Sequence, residues 1–147
     1  MVTHATENSL SLANELRPVL LRLTRELRRE TEQFGITSRQ ATLLWLVKQS
    51  PGLTLRALAE SEAISAPALS GHIDRLERAG LLVRVRSSVD RRRVGLELTE
   101  EGERLLLSVR ERRTAWLAER LNGLEPEGLL AIVAAVGPLR ELLKDPR

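Results

Sequence analysis

Residues 64–99 read ISAPALSGHIDRLERAGLLVRVRSSVDRRRVGLELT, and this stretch decides the fold. Its first half predicts a helix over about residues 65–79. Ser65 is a typical N-cap, Pro67 lies in the first turn where a missing N–H does no harm, and Gly80 closes the helix. The apolar residues recur at helical spacing and form one inner stripe, which consists of Leu69, Ile73 and Leu76.

The second half of the stretch changes from helical spacing to alternation. Apolar residues take every second position on both sides of a polar, basic segment, residues 87–93. They are Leu81, Val83 and Val85 before the segment and Val94, Leu96 and Leu98 after it. Two such runs around a polar tip predict a β-hairpin. We call this hairpin the wing.

Upstream of the stretch the pattern is helical. A first long helix contains Pro18, which is expected to kink it, and a second helix opens at Thr37 with Gln40 completing a capping box. The segment Leu53-Thr54-Leu55 predicts a short strand that leads into a third helix capped by Thr54. That helix ends at the turn Glu62-Ala63-Ile64, so it stands one short turn before the helix capped by Ser65.

Downstream, Thr99 is expected to cap a long helix, and Pro126 to begin a last helix that Gly137-Pro138 must bend or split. The predicted order is therefore α-α-β-α-α-β-β-α-α, a mainly α fold with a small β-wing. We interpret residues 37–99 as a winged helix-turn-helix, with helical regions at 9–36 and 100–145 on either side.

The composition excludes several classes of protein. The chain has 147 residues, 42% hydrophobic and 29% charged, which suits one globular domain or one domain with dimerising arms. Without cysteine there is no thiolate metal site and no thiol redox sensor. His4 and His72 are the only imidazoles and fit no metal-site signature, so we expect no metal and no cofactor. No stretch approaches the roughly 18 apolar residues of a membrane span, so we expect a cytoplasmic protein without a membrane partner.

The positive charge is concentrated in one part of the chain. The net charge is +3, and seven arginines lie between Arg75 and Arg93. A basic stripe is expected of a nucleic-acid-binding face, although by itself it fits a solvated arginine-rich surface equally well. A helix-turn-helix followed directly by a hairpin with a basic tip is much more specific, and it favours binding to double-stranded DNA.

Helical geometry indicates which residues would face the DNA. In a helix-turn-helix the second helix lies in the major groove with its N-terminal residues at base edges. On that helix the expected contacts are Ser65, Pro67, Ser70, Gly71, His72 and Arg75. On the wing they are Arg86, Ser87, Asp90, Arg91, Arg92 and Arg93. An arginine on a projecting loop can enter a narrow minor groove, and an acid two residues before it can hold the guanidinium in a bidentate pair.

Three segments resemble the MarR family (multiple-antibiotic-resistance regulators): DRLERAGLL at 74–82, DRRR at 90–93 and LTEEG at 98–102. The resemblance covers nearly the whole chain. It implies a homodimer in which the N- and C-terminal helices of two chains interlock, with Asp90 orienting Arg92 toward the minor groove. It also implies a repressor of a nearby operon, bound to a pseudo-palindromic operator and released by a small, often phenolic ligand.

Two residues depart from the family pattern. The inter-helix turn has Ala63 where glycine is common, and position 71 is glycine where relatives often carry arginine or another polar residue. Because Ala68 and Gly71 offer the bases little, we expect specificity to depend on Arg75, His72, the wing and DNA shape.

Two other classes of function are weaker. A protein–protein module could reuse this fold, but a protein partner does not require a basic stripe. An enzyme is disfavoured because no nucleophile–base set, glycine-rich phosphate loop or metal quartet is present, and we predict no catalytic residue. Trp45 and Trp116 are interpreted as core or dimer-interface residues rather than ligand platforms, and no residue is assigned to an effector site.

Overall fold

The computed structural model describes residues 2–144, with side chains from residue 7 onward. Residue 145, the last of the predicted region 100–145, and the His4 side chain lie outside this described part. Within residues 2–144 the order of helices and strands is the predicted one, with six helices and a small antiparallel sheet. The elements are α1 (Val2–Glu32), α2 (Ser38–Gln49), β1 (Leu53–Thr54), α3 (Leu55–Glu62), α4 (Ala66–Arg78), β2 (Leu82–Arg86), β3 (Val94–Leu98), α5 (Glu100–Asn122) and α6 (Pro126–Glu141).

Two prolines lie inside continuous helices. Pro18 stands in α1 and Pro138 in α6, and neither helix is divided there. Each proline removes one backbone donor and so leaves one carbonyl of the preceding turn without its helical partner. Of the two outcomes expected at Gly137-Pro138, a bend or a split, the split does not occur, since α6 runs on to Glu141.

The chain forms two compact units, one ending at Arg113 and the other beginning at Thr114. The first unit contains an aliphatic core drawn from α2, α3, α4 and the sheet. Leu43, Leu58, Ile73 and Leu96 are among its fully buried side chains. The inner stripe predicted for α4 is confirmed, because Leu69, Ile73 and Leu76 are all buried. This core fixes which face of α4 remains outside.

Side-chain caps define the starts of the helices that surround this core. Thr37 accepts a hydrogen bond from the backbone of Gln40, and the Gln40 side chain accepts one from the backbone of Thr37, which confirms the predicted capping box. Thr54 caps α3 by accepting from the N–H of Ala57. These bonds satisfy amides that the first helical turn leaves unpaired.

The sheet has the order β1-β3-β2, with both pairs antiparallel. Gly95, on the central strand, lies against the backbone of Gly52 so closely that a Cβ at position 95 would fall 2.5 Å from the Gly52 carbonyl oxygen. On β2, only Leu82 is buried, whereas Val83 and Val85 are exposed. The buried face of β2 is therefore the one that also carries Arg84 and Arg86.

Two arginines of α5 join that helix to the end of α1 within the first unit. Arg112 forms an ion pair with Glu30 at 2.7 Å, while Arg113 donates to the Leu27 carbonyl and to the buried hydroxyl of Thr31. Burial lowers the pKa of Arg113, and the nearby charge of Arg28 lowers it further. An arginine still remains protonated at neutral pH, so these contacts are charge-assisted.

The second unit consists of the end of α5 and α6. Trp116 is buried, and the Arg120 guanidinium lies 3.9 Å from the centre of its ring, a cation–π contact. No residue of α6 is buried. Trp45, which belongs to the first unit, is 52% exposed and so is not part of the core of the single chain. No helix in the described part of the chain is long and apolar enough to cross a membrane.

Candidate nucleic-acid interface

The turn between α3 and α4 sets the angle at which α4 is presented. Ala63 ends α3 in the left-handed conformation, with φ 50° and ψ 41°, and is the only non-glycine residue with positive φ among residues 2–144. Ser65 then caps α4 by accepting a long hydrogen bond, 3.4 Å, from the N–H of Ala68. The departure from glycine at position 63 thus leaves the turn geometry in place but adds backbone strain.

The outer face of α4 is sparsely equipped with polar groups. Ser65, Pro67, Gly71 and Arg75 are exposed, as the pattern predicted, and Ala68 is exposed beside them. A Cβ at Gly71 would meet no atom of the described residues within 4 Å, so none of them requires a glycine here. Proline, alanine and glycine offer no side-chain hydrogen bond to a base edge.

Two predicted contact residues of α4 are less accessible than the others. Ser70 and His72 are half-buried, and Nδ1 of His72 is buried with no hydrogen-bond partner among the described residues. His72, whose position on the helix predicted an outward side chain, is thus only partly exposed. Its side chain lies at the border of the exposed face, and Arg75 is the long polar side chain that projects from the middle of it.

The wing tip is built by hydrogen bonds from side chains to backbone. Ser87 Oγ accepts from the N–H of Val89 at 3.2 Å and from that of Asp90 at 3.3 Å. The backbone closes the loop, because Ser87 N–H donates to the Arg93 carbonyl and Arg93 N–H to the Asp90 carbonyl, both at 3.0 Å. Ser87 is therefore part of the framework of the tip and is only half exposed.

Asp90 acts on Arg92 through the backbone. Its Oδ1 accepts from the N–H of Arg92 at 3.0 Å, an Asx-type turn, whereas the guanidinium facing its Oδ2 is that of Arg93, 4.0 Å away. The expected bidentate pair between Asp90 and the Arg92 guanidinium is absent from this structure. The reason is the short spacing between the two residues. Because Arg92 follows Asp90 by only two positions in a tight turn, the Asp90 carboxylate lies next to the backbone N–H of Arg92 and not next to its guanidinium.

The seven arginines of the basic stripe fall into two groups. Arg78 donates to the Asp74 carbonyl, Arg84 forms ion pairs with Asp74 and Glu77, and Arg93 faces Asp90. Within the described part of the chain the guanidinium groups of the other four form neither an ion pair nor a hydrogen bond. These are Arg75, Arg86, Arg91 and Arg92, and all of them are exposed. The structure therefore leaves free one cation on α4 and three on the wing.

Sequence reasoning missed two features of this face. The pairing of Arg84 with α4 had a signal in the alternation of β2, which puts Arg84 on the same face as the buried Leu82. Val89 stands at the very tip of the wing and is 95% exposed. Val89 belongs to the predicted tip segment, residues 87–93, but no contact was predicted for it.

A small cavity of about 300 Å³ opens between α3 and the first half of α4. It is lined mainly by apolar residues: Leu55, Arg56, Ala59, Glu60, Ile64, Ala66, Leu69 and Ser70. Its volume is at the lower end of the range for small-molecule sites. Among the residues whose side chains are described, no group of three or more His, Asp or Glu is placed to hold a metal ion.

Comparison with known proteins gives consistent matches. The model of the MarR family matches residues 36–94, from the end of the α1–α2 connection to the start of β3. The HTH-type transcriptional regulator FarR of Neisseria gonorrhoeae is 37% identical over 69% of this chain, and the match spans 62% of FarR. The HTH-type transcriptional repressor MdtR of Bacillus subtilis is 30% identical over 78% of this chain and 74% of MdtR.

A solved structure has the same fold. The MepR F27L mutant of S. aureus bound to an oligodeoxyribonucleotide superposes with a TM-score of 0.70, covering 90% of this chain and 98% of that chain at 22% identity. The fold described above is thus one that has been seen in complex with DNA.

Proposed function

This chain belongs to the MarR family of DNA-binding transcription regulators, and from that premise we propose that it is a homodimeric repressor of a nearby operon, released by a small ligand. Residues 37–99 would bind the operator, with α4 in the major groove and the wing tip in the minor groove. Residues 9–36 and 100–145 would form the dimerisation region. Its relatives are transcriptional regulators, which are not enzymes, and action on the chromosome implies the cytoplasm.

The proposed binding to DNA rests on the four free arginines, Arg75, Arg86, Arg91 and Arg92. Arg75 projects from the exposed face of α4, and Arg91 and Arg92 from the wing tip, with no ion pair among the described residues to neutralise them. Guanidinium groups without a protein partner gain more from phosphates or base edges than paired ones, because no existing contact must be broken. The wing is the better-equipped element, since Pro67, Ala68 and Gly71 leave α4 mostly without donors.

The homodimer is supported by exposed apolar surface on each unit considered separately. On α6, Leu130 is 68% and Val133 is 65% exposed, and no residue of the helix is buried. On α1, Leu12 and Leu21 are exposed in the same way. Apolar patches of this kind on a protein of this size mark association surfaces, and a second copy would cover them. Two copies would read a pseudo-palindrome with half-sites about one helical turn apart.

The proposed repressor role and the proposed effector rest on a relative and on a cavity. MdtR is named as a repressor, and family resemblance suggests an aromatic or phenolic effector. The cavity between α3 and α4, about 300 Å³, is large enough for a single substituted ring. A ligand there would touch Leu69 and Ser70 of α4, so its binding could be coupled to the position of that helix.

The test is selection of duplex DNA by the purified protein, followed by affinity measurements at several salt concentrations. The parent protein should select a pseudo-palindrome, with an affinity that falls steeply as salt rises. Arg92→Ala should weaken binding to selected and random duplexes alike and reduce the slope of log K against log salt by about 0.9.

Arg104→Ala is the matched control, because Arg104 is an exposed arginine on α5 that is already paired with Glu101 at 2.6 Å. This variant should bind as the parent does. A parent protein that shows no salt-sensitive DNA complex at micromolar concentration would instead support a protein–protein module.

A further inference from the structure

Arg84 is the arginine that joins the wing to α4. Its Nη2 lies 2.9 Å from Asp74 Oδ1, and its Nη1 lies 3.7 Å from Glu77 Oε1. Both acids belong to α4, and Arg84 belongs to β2. Among the described residues these are the ion pairs that connect α4 with the wing strands.

The regular geometry of both elements produces this arrangement. Side chains of a strand alternate, so Arg84 lies on the same face as Leu82, which is fully buried in the core. Side chains three apart on a helix share a face, so Asp74 and Glu77 stand side by side. One guanidinium of β2 therefore meets two carboxylates of α4 directly above the core.

The two carboxylate oxygens of Glu77 lie in different surroundings. Its Oε2 is buried and has no hydrogen-bond partner among the described residues, while Oε1 faces the guanidinium. A buried carboxylate oxygen without a donor is unfavourable unless a positive charge lies close by, and Arg84 supplies that charge. Removing Arg84 would leave two neighbouring carboxylates of α4 without the positive charge that lies between them and β2.

We propose that Arg84 is a positioning residue that fixes the angle between the recognition helix and the wing, and thereby contributes to operator specificity without contacting phosphate. This inference rests on the proposed DNA-binding function. Arg84 lies within the basic stripe, but its charge is already balanced by two acids. That leaves little net attraction for a phosphate.

The wing needs such a link because its other attachments to α4 lie at its base. The N–H of Leu81, just before β2, donates to the carbonyl of Leu76 in α4. Further along the hairpin, β2 is an edge strand of the sheet, with β3 as its one partner strand among the residues that the structure describes. Base contacts in the major groove and arginine insertion in the minor groove must occur together, so a change in this angle would weaken specific contacts first.

The experiment compares two duplexes, the one that the parent protein selects from a random-sequence library and one of random sequence. Arg84→Gln should weaken binding to the selected duplex by roughly tenfold, the loss of about one base contact, while its affinity for random DNA and its salt slope stay unchanged. Arg86→Gln is the matched control: it lies two residues along the same face of β2 and has no ion pair among the described residues. This variant should lose affinity for both duplexes, with a slope smaller by about 0.9.

The exchanged pair Asp74→Arg with Arg84→Asp provides the rescue. It keeps opposite charges across the contact and should recover most of the affinity for the selected duplex. Thermal melting of each variant confirms that the folded protein is being measured.

Three outcomes would overturn the inference. Arg84→Gln could bind the selected duplex as the parent does, it could reduce the salt slope as Arg86→Gln does, or the folded exchanged pair could remain as weak as Arg84→Gln. If the parent protein selects no duplex at all, the proposed function fails instead, so the two failures are distinguishable.

Discussion

At the wing tip a single carboxylate organises the backbone around it. Asp90 accepts from the N–H of Arg92, while Ser87 accepts from the N–H groups of Val89 and Asp90. The sequence identified Asp90 and Arg92 as partners but assigned the contact to the guanidinium. The direction of a side chain in a tight turn depends on loop closure, which residue spacing alone does not determine.

Asp90→Ala should loosen the tip by removing the acceptor for the Arg92 N–H. We expect DNA affinity to fall by about fivefold, the net worth of one hydrogen bond of about 1 kcal/mol. Asp90→Asn keeps an acceptor oxygen at the same place and also removes a negative charge near phosphate, so it should bind at least as tightly as the parent. Fluorescence anisotropy with a selected duplex measures both. An asparagine variant as weak as the alanine variant would mean that the charge of Asp90 matters, not the turn.

Ala63 is the other residue whose conformation the fold imposes. Its φ of 50° costs an alanine about 1–2 kcal/mol relative to right-handed backbone, and glycine avoids that cost. Glycine loses about 0.5–1 kcal/mol through its freer unfolded state. Ala63→Gly should therefore stabilise the protein, by up to about 1 kcal/mol, in urea unfolding at fixed protein concentration.

Ala79→Gly is the control for that measurement. Ala79 ends α4 with φ −75° and ψ −3°, where alanine is unstrained. Glycine there should destabilise by about 0.5–1 kcal/mol. A loss of stability at both positions would contradict the strain assigned to Ala63.

Three elements meet at Thr99. Its Oγ1 donates to the Gly80 carbonyl at 2.6 Å and accepts from the N–H of Gly102 at 3.0 Å, so one hydroxyl joins the end of α4 to the start of α5. Gly102 lies so close to the Leu81 carbonyl that a Cβ has no room there. The sequence predicted Thr99 as the cap of α5, which is confirmed. Its second bond, to a residue 19 positions earlier, required the folded chain.

Thr99→Val should remove both bonds while keeping the shape of the side chain. We expect a loss of about 1–3 kcal/mol, because the Gly80 carbonyl and the Gly102 amide are left without this partner. Thr99→Ser keeps the hydroxyl and should lie within about 0.5 kcal/mol of the parent. Urea unfolding followed by circular dichroism reports both values. A valine variant as stable as the serine variant would show that water replaces the hydroxyl.

At the scale of the whole molecule, each unit shows apolar surface that a single chain leaves uncovered. All of α6 lacks buried residues although its sequence is rich in leucine, valine and isoleucine. A helix that is apolar and yet exposed is stabilised only when another surface covers it. The exposed apolar surface of α6 therefore supports the proposed homodimer.

Leu130→Asp with Val133→Asp should therefore shift the protein toward the monomer. Burying each of these side chains contributes roughly 1.5–3 kcal/mol, so the dimer dissociation constant should rise by about a hundredfold or more. Analytical ultracentrifugation measures it. Glu127→Gln, a polar change in the first turn of the same helix, should leave it unchanged. A double variant that sediments as the parent does would exclude α6 from the interface.

The sequence by itself determined the order of the elements, the caps at Thr37, Thr54, Ser65 and Thr99, and the inner stripe of α4. These features depend on spacing along the chain and on local hydrogen bonds, which are readable within a few residues. Only the tertiary structure decided which arginines of the basic stripe are free. Arg84 and Arg86 are equivalent in the sequence, two positions apart on one strand, but only Arg84 lies opposite Asp74 and Glu77. Long-range contacts between α4 and the wing make that distinction, because the charge that an arginine presents to a partner depends on which residues already surround it.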